Sequence, residues 1–302
     1  MNFNRRWLWS PMAVVLGIAL AACGSSPPKA GKGNITVAGF AFPESSIMAY
    51  VYGEALGGAG YTVSYKLNLG TRAVVEPALE SRQIDLYPGY TASDLEYQDK
   101  NAGLAGGDAA TNNAKLNTFL TPKGLEALTP SSALDTNAFA VKKAIAKQYT
   151  LKTLSDLARV SNKLVFGAPP DCPTNALCAP GLSRVYGIKF KSTQLLDLDG
   201  PATYAALDSG TVQVGEVFSS DATISSHGLV VLTDNKHLEA ADDLVPIGRT
   251  SVLRGVATTV LNNVSSKLTT SALIAMNAKV AINHADPSQV ASAWLKSHDI
   301  KT

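Results

Sequence analysis

The sequence has few of the residues from which most enzymes build catalytic or metal sites. Its 302 residues include three cysteines and four histidines, and the histidines are scattered between positions 227 and 298. Neither a nucleophile with a neighbouring base nor a phosphate-binding loop occurs at diagnostic spacing. We therefore predict a protein that is not an enzyme and that holds no metal and no cofactor.

The chain also lacks a strong excess of charge of either sign. Its formal net charge is +2, and Arg5 and Arg6 near the N-terminus account for both units. A domain that binds nucleic acid usually carries a clustered basic surface, so a nucleic-acid partner is not expected. Beyond the N-terminal segment, the sequence contains no run of about 20 apolar residues, the length that crosses a bilayer.

The N-terminus has the pattern of an export signal. Arg5 and Arg6 precede an apolar stretch, and small residues then lead to Cys23. The sequence LAAC at residues 20–23 resembles the bacterial lipobox, which implies a lipid on Cys23; an ordinary secretory signal is the alternative. We predict a signal peptide over residues 1–22 and a lipid anchor on the outer face of the bacterial cell membrane.

The rest of the chain divides into a tether and a folded part. Residues 23–34 are rich in Gly, Ser, Pro and Lys, which is typical of a flexible tether. From Ile35 onward, short β-rich runs such as ITVAGF and YTVSYKLNL alternate with helical stretches. This alternation predicts an α/β fold with mainly parallel sheets and helices on both faces.

Two lobes with a ligand cleft between them are the predicted architecture, because about 280 residues exceed what a single core usually organises. The alternating pattern is interrupted near Asp135 and again near Asp234, and the last third of the chain is mostly helical. We predict that residues 35–135 together with 235–302 form lobe 1 and that residues 136–234 form lobe 2. Two short crossings would act as a hinge beside the cleft.

Cys172 and Cys178 lie in the segment PPDCPTNALCAPG, with five residues between them. Exported proteins meet oxidising surroundings, and a disulfide can close a loop of this length, which is our prediction. Metal ligation is the alternative, although no histidine or third cysteine lies nearby in the sequence.

Three predicted strand-end loops carry aromatic and hydroxyl side chains. They are GFAFPESS at residues 39–46, YPGYTASD at 87–94 and EVFSSD at 216–221. Ligands of open α/β sheets bind beyond the carboxyl ends of strands, and aromatic faces attract weakly hydrated cations at about 0.5–2 kcal/mol per ring. Core packing, or stacking on a flat apolar ligand, would use the same residues.

These motifs resemble the OpuC/ProX-type substrate-binding lipoproteins of osmoprotectant ABC importers, over nearly all of the mature chain. IDLYPGYT stands where that family has D-[IL]-Y-P-E-Y-T-G, and VFSSD where it has an aromatic residue followed by S-T-D. The resemblance implies a two-lobed periplasmic-binding-protein fold of type II. It also implies a ligand such as glycine betaine, choline or carnitine, which is delivered to an ABC permease in the membrane. We expect a monomer.

The resemblance assigns ligand contacts to individual aromatic residues. Tyr90 matches the tyrosine of an aromatic cage, Phe42 lies in the aromatic part of the first loop, and Phe218 matches the aromatic residue of the second-lobe motif. We expect these three side chains to contact the cationic or apolar part of the ligand, with Tyr87 as a further candidate. No tryptophan is available for a cage, since two of the three lie in the signal and Trp294 lies in the final predicted helix.

Four polar residues are expected to contact the ligand as well: Thr91, Asn175, Ser220 and Asp221. Two departures from the family bear on the ligand. Relatives with a similar paired-cysteine loop carry arginine in place of Asn175, and arginine suits a ligand carboxylate through two parallel hydrogen bonds. The motif YPEYTG also reads YPGYTA here, so a carboxylate is missing. An amino acid, a sugar-like compound or a flat aromatic is therefore the alternative ligand, and a membrane-tethered sensor is the alternative role.

Overall fold

The structure is a computed structural model that describes residues 32–302. The predicted signal peptide, the predicted lipidation site Cys23 and most of the tether lie outside the described residues. Among the helices of residues 32–302, none combines the length and the apolar character that a membrane crossing requires.

Strands and helices alternate along the described part of the chain, as the sequence predicts. The strands are β1 (Asn34–Ala38), β2 (Thr62–Lys66), β3 (Leu86–Tyr90), β4 (Leu125–Ala127), β5 (Asn137–Lys142), β6 (Val165–Ala168), β7 (Ser192–Leu195), β8 (Val214–Phe218), β9 (Leu229–Val231) and β10 (Leu244–Arg249). The helices are α1 (Pro43–Gly58), α2 (Arg72–Glu80), α3 (Thr91–Gln98), α4 (Ala109–Leu120), α5 (Lys143–Tyr149), α6 (Leu154–Ala158), α7 (Ala179–Gly181), α8 (Pro201–Ser209), α9 (Val256–Lys267), α10 (Thr270–Ala281) and α11 (Pro287–Ser297).

The first sheet has the strand order β2-β1-β3-β10-β4. Strand β1 runs parallel to β2 and β3, whereas β10 is antiparallel to β3 and β4. Helix α1 packs between this sheet and the C-terminal helices α9, α10 and α11. It begins with Pro43 directly after the extended Phe42, because proline fits the first helical position, where its missing N–H costs nothing.

The second sheet has the strand order β7-β6-β8-β5-β9. Strand β6 runs parallel to β7 and β8, and β5 is antiparallel to β8 and β9. The predicted α/β class is confirmed, and in each sheet four of the five strands run in one direction while one strand runs against them, so the sheets are mixed but mainly parallel. The reason is that β5 and β10, the first strands after each crossing, enter their sheet against the direction of their neighbours.

The chain passes between the sheets twice, through residues 128–136 and 232–243. The two segments are hydrogen-bonded to each other, since the Asp135 N–H donates to the Asp242 carbonyl oxygen at 3.2 Å. The predicted lobe boundaries near Asp135 and Asp234 fall within these segments and remain predictions. Paired crossings of this kind can absorb a rotation of one half against the other.

We call the part of the chain between the two crossings the second half, and the rest of the described chain the first half. Alternate residues of β5 build two separate cores in the second half. Phe139 and Val141 belong to one buried cluster, and Ala138 and Ala140 belong to another, because successive side chains of a strand point to opposite faces of the sheet. A third and larger cluster surrounds the first sheet, and Phe218 at the end of β8 packs against it. An aromatic side chain of the second sheet therefore contacts the core of the first.

Candidate functional site

Four aromatic rings meet where three strands end, and we call them the aromatic cluster: Phe40, Phe42, Tyr90 and Phe218. The rings of Phe42 and Phe218 have centroids 5.0 Å apart, and Phe42 lies 5.9 Å from Phe40 and 6.2 Å from Tyr90. Phe40 and Phe42 follow β1, Tyr90 ends β3, and Phe218 ends β8 in the other sheet. The carboxyl ends of strands are where open α/β sheets bind ligands.

The aromatic cluster lines a partly open cavity of about 30 Å³, which we call the aromatic cavity. A cavity of this volume holds about two water molecules. Phe42 and Phe218 touch across it, so a trimethylammonium group has no room while the rings stand as they do. A ligand of that size enters only if the two halves of the chain or these two rings move apart.

Arg72, which opens α2, also lines the aromatic cavity. Its guanidinium carbon lies 5.0 Å from the centroid of Phe40 and 5.7 Å from that of Tyr90, and its Nε donates a hydrogen bond to Asp94 Oδ1 at 3.1 Å. Burial alone would lower the pKa of Arg72, but the carboxylates of Asp94 and Asp242 raise it above its ordinary value. The predicted site did not include this cation, although the loop after β2 is also a strand end.

Three aspartates add carboxyl groups to the same cavity: Asp135, Asp171 and Asp242. Burial raises the pKa of Asp242 to about 6, although Arg72 and hydrogen bonds from Ser93 lower it. Burial also raises the pKa of Asp135 well above its usual range. Buried carboxyls in such surroundings favour a ligand with a positive group, because its charge would stabilise the ionised form.

Glu44 connects the aromatic cluster to the second half through a buried hydrogen-bond network. Its carboxylate accepts hydrogen bonds from Tyr90 Oη at 2.7 Å, from Asn277 Nδ2 at 2.6 Å and from Ser220 Oγ. The backbone N–H of Ser220 donates to Asp135 Oδ1 at 2.9 Å. Burial raises the pKa of Glu44. The network therefore joins α1 and β3 to the loop after β8, in the other half of the chain.

Two predicted contact residues on or beside β3 do not line the aromatic cavity. Tyr87 is fully buried, and its hydroxyl donates to Glu76 Oε1 at 3.0 Å and to Asp94 Oδ1 at 3.1 Å. Thr91 is also buried, and its Oγ1 donates to the Ala241 carbonyl oxygen at 3.0 Å. Both side chains hold neighbouring parts of the fold in place rather than facing the cavity.

The remaining polar candidates are also placed elsewhere. Asn175 Oδ1 accepts a hydrogen bond from the Leu177 N–H at 2.9 Å, within its own loop. Ser220 and Asp221 line a larger cavity of about 520 Å³, which shares Phe42 and Phe218 with the aromatic cavity. The aromatic pair therefore forms the partition between the two cavities.

The predicted disulfide between Cys172 and Cys178 is present. Among the described residues, the only cluster with metal-ligand spacing consists of these two cysteines and Glu216. Their sulfur atoms are joined to each other, so the metal alternative lacks its thiolate ligands. The disulfide closes the loop directly after Asp171 and so fixes one wall of the aromatic cavity.

Gly89 has a packing reason for its departure from the family motif. A Cβ atom there would clash with Ile247 Cδ1 and would lie 2.8 Å from Asp94 Oδ2. Because Asp94 occupies this space and accepts hydrogen bonds from Tyr90 N–H and Arg72, a larger residue at position 89 does not fit.

Comparison with known proteins gives a consistent result. The family model described as the substrate binding domain of ABC-type glycine betaine transport system matches residues 33–297. The chain is 28% identical over 308 residues to the glycine betaine-binding protein YehZ of Escherichia coli (strain K12), covering 96% of each protein. It is 25% identical to the carnitine transport binding protein OpuCC of Listeria monocytogenes serotype 1/2a (strain 10403S), covering 97% of this chain and 96% of the relative.

A solved structure has the same fold. The crystal structure of a glycine betaine/carnitine/choline ABC transporter protein superposes with a TM-score of 0.67 at 23% sequence identity, covering 88% of this chain and 98% of that one. This likeness confirms the predicted type II periplasmic-binding-protein fold. Since the family model spans nearly the whole described region, the chain belongs to the family of substrate-binding domains of ABC-type glycine betaine transport systems.

Proposed function

We propose that this protein captures glycine betaine or a related quaternary amine in the aromatic cavity and delivers it to an ABC permease. The observation that carries the proposal is the meeting of Phe42 and Tyr90 with Phe218, which brings rings from both sheets to one cavity. Quaternary ammonium groups are weakly hydrated, so each ring that they contact contributes about 0.5–2 kcal/mol. Two rings would then contribute about 1–4 kcal/mol, at most about half of the roughly 8 kcal/mol that a micromolar affinity requires.

Binding would couple to closure because the rings belong to different halves of the chain. The cavity of about 30 Å³ is too small for the ligand when Phe42 and Phe218 touch. A ligand inserted between these rings would replace the ring contact with two cation-π contacts. It would then hold the halves close together, and the permease would receive a closed, loaded protein.

We also propose that the protein acts outside the cytoplasm as a lipid-anchored monomer. The support for this part of the proposal is the lipobox-like LAAC ending at Cys23 and the tether that follows. A lipid at Cys23 would keep the folded part close to the permease. Labelling with a radioactive fatty acid in growing cells tests the anchor, and a Cys23→Ala variant that still carries label would contradict it.

Calorimetric titration with glycine betaine tests the ligand proposal. Phe218→Ala should weaken binding by about 1 kcal/mol or more, whereas Phe218→Tyr, which keeps the ring, should retain binding. Tyr90→Phe is the corresponding ring-retaining change in the first half, because it removes only the hydroxyl that donates to Glu44. Equal affinity of Phe218→Ala and the native chain would contradict the proposal. Tighter binding of an uncharged aromatic than of any quaternary amine would favour the alternative ligand class.

A further inference from the structure

We propose that Arg72 binds a carboxylate of the ligand and so makes the aromatic cavity selective for zwitterionic amines over amines without a carboxylate. This inference rests on the proposed function and specifies its ligand class. Arg72 is the one cation among the described residues that line the aromatic cavity. A ligand carboxylate placed there would otherwise face only aromatic rings, neutral groups and the aspartates.

The donors of Arg72 are only partly used by the protein. Its Nε bonds to Asp94, but within residues 32–302 its two terminal amino groups donate no hydrogen bond. The side chain is nonetheless mostly buried, with 18% of its surface exposed. A guanidinium group presents five N–H donors in a planar fork that matches a carboxylate. The terminal amino groups of Arg72 can therefore donate hydrogen bonds to a ligand carboxylate in the cavity.

Asp94 holds the guanidinium in position before any ligand arrives. This carboxylate is fully buried, and it also accepts hydrogen bonds from the Tyr90 N–H at 2.6 Å and from the Tyr87 hydroxyl at 3.1 Å. The guanidinium carbon also lies over the rings of Phe40 and Tyr90. A side chain fixed on several sides loses little conformational freedom when it binds, which strengthens the contact that it makes.

The cavity also has the opposite charge for the other end of a zwitterion. Asp171, which lies beyond β6 in the second half, lines the cavity, and its buried Oδ1 has no hydrogen-bond partner among the described residues. Asp171 and Arg72 do not form an ion pair with each other. A ligand with its carboxylate at Arg72 and its ammonium toward Asp171, Phe42 and Phe218 would satisfy both groups at once.

Asn175 does not compete for the role of carboxylate-binding residue. Its side-chain oxygen is used within its own loop, and it does not line the aromatic cavity. The carboxylate would therefore be bound from the first half, by Arg72, while the paired-cysteine loop contributes Asp171. The ligand would then contact charged groups of both halves, so an intact zwitterion favours closure more than an analogue that lacks either charge.

Calorimetry with three ligands of similar shape tests the inference. Glycine betaine carries both charges, choline keeps the trimethylammonium group without the carboxylate, and 3,3-dimethylbutanoate keeps the carboxylate without the positive charge. The native chain should bind glycine betaine at least about tenfold more tightly than either of the others, as a lost charge-assisted pair of hydrogen bonds would produce. Equal affinities for glycine betaine and choline would overturn the inference.

Variants at position 72 separate this inference from the proposed function. Arg72→Gln should weaken glycine betaine binding about tenfold or more and change choline binding less than about threefold. Arg72→Lys keeps the positive charge beside Asp94 but lacks the planar guanidinium group. It should therefore fold normally, and its affinity for glycine betaine should still fall about fivefold or more. Arg254→Gln, at an exposed position outside the cavity, is the matched control and should match the native chain.

The possible results lead to different conclusions. If Arg72→Gln binds glycine betaine as tightly as the native chain, or if it weakens glycine betaine and choline equally, Arg72 does not bind the carboxylate, although the proposed function stands. If the native chain binds neither trimethylammonium compound at millimolar concentration, the proposed function itself is wrong, and the inference that rests on it falls too. Melting temperatures of all variants report whether each one is folded.

Discussion

The Asp242→Asn variant should become more stable than the native chain as the pH rises from 4 to 7.5. Asp242 is 4% exposed, and its Oδ1 accepts hydrogen bonds from the N–H groups of Ala92 and Ser93 at 2.7 and 3.1 Å. Asparagine can accept the same two bonds through its side-chain oxygen. The substitution therefore removes the charge while it keeps the cap on the first turn of α3.

The size of the effect follows from the pKa of Asp242. Burial raises it to about 6 in the folded chain, compared with about 3.9 for an aspartate in an unfolded chain. A difference of about two units corresponds to about 3 kcal/mol of unfolding free energy. Because the folded pKa is the higher one, this stability is complete below about pH 4 and is lost as the pH rises through 6.

Urea unfolding followed by circular dichroism, at half-unit steps from pH 4 to 7.5, measures the difference between the two chains. We expect the advantage of Asp242→Asn to grow by about 2–3 kcal/mol over this range. Asp108→Asn is a control of opposite sign, because hydrogen bonds from Thr111 lower the pKa of the exposed Asp108. A difference that stays constant within about 0.5 kcal/mol would show that Asp242 is not a buried charge.

Three further substitutions test the packing around the site. Gly89→Ala should cost about 1–3 kcal/mol of unfolding free energy because its Cβ has no space; an unchanged urea midpoint would contradict this. Ser220→Ala removes a hydrogen bond to Glu44 between the two halves and should lower the unfolding free energy by about 1 kcal/mol, whereas an unchanged urea midpoint would mean that the bond does not contribute to stability. Replacing Cys172 and Cys178 together by serine should lower the unfolding free energy by about 2 kcal/mol, and a reducing agent should reproduce the loss in the native chain but not in the variant.

Much of the fold could be predicted because periodic patterns report local structure. The alternation of short apolar runs with helical stretches is a local signal, and it predicted the strands on which Phe42, Tyr90 and Phe218 depend. Strand direction is not local. Whether β5 and β10 run with or against their neighbours depends on where each crossing delivers the chain, and the sequence has no signal for this.

The site could be predicted only in part, for a related reason. Tyr87 and Tyr90 are three residues apart on β3, so they point to opposite faces of the sheet, and this parity could have excluded Tyr87 from the sequence alone. Arg72 is different, because its position over Tyr90 depends on the pairing with Asp94, 22 residues away. The direction of the Asn175 side chain depends on a turn within the disulfide-closed loop, and the residue type alone does not determine that direction.

The cap that Asp242 forms on the first turn of α3 has a consequence for how the ligand affinity of this protein can change. Asp242 belongs to a crossing segment, yet its side chain accepts hydrogen bonds from the N–H groups of Ala92 and Ser93, two and three residues after Tyr90, and Thr91 bonds to the neighbouring Ala241. These hydrogen bonds join the second crossing segment directly to the strand end that carries Tyr90. Substitutions at residues 240, 241 and 243, which do not line the aromatic cavity, should change the affinity for a solute without touching it, and adaptation to dilute or abundant solutes could proceed there while every ring stays unchanged.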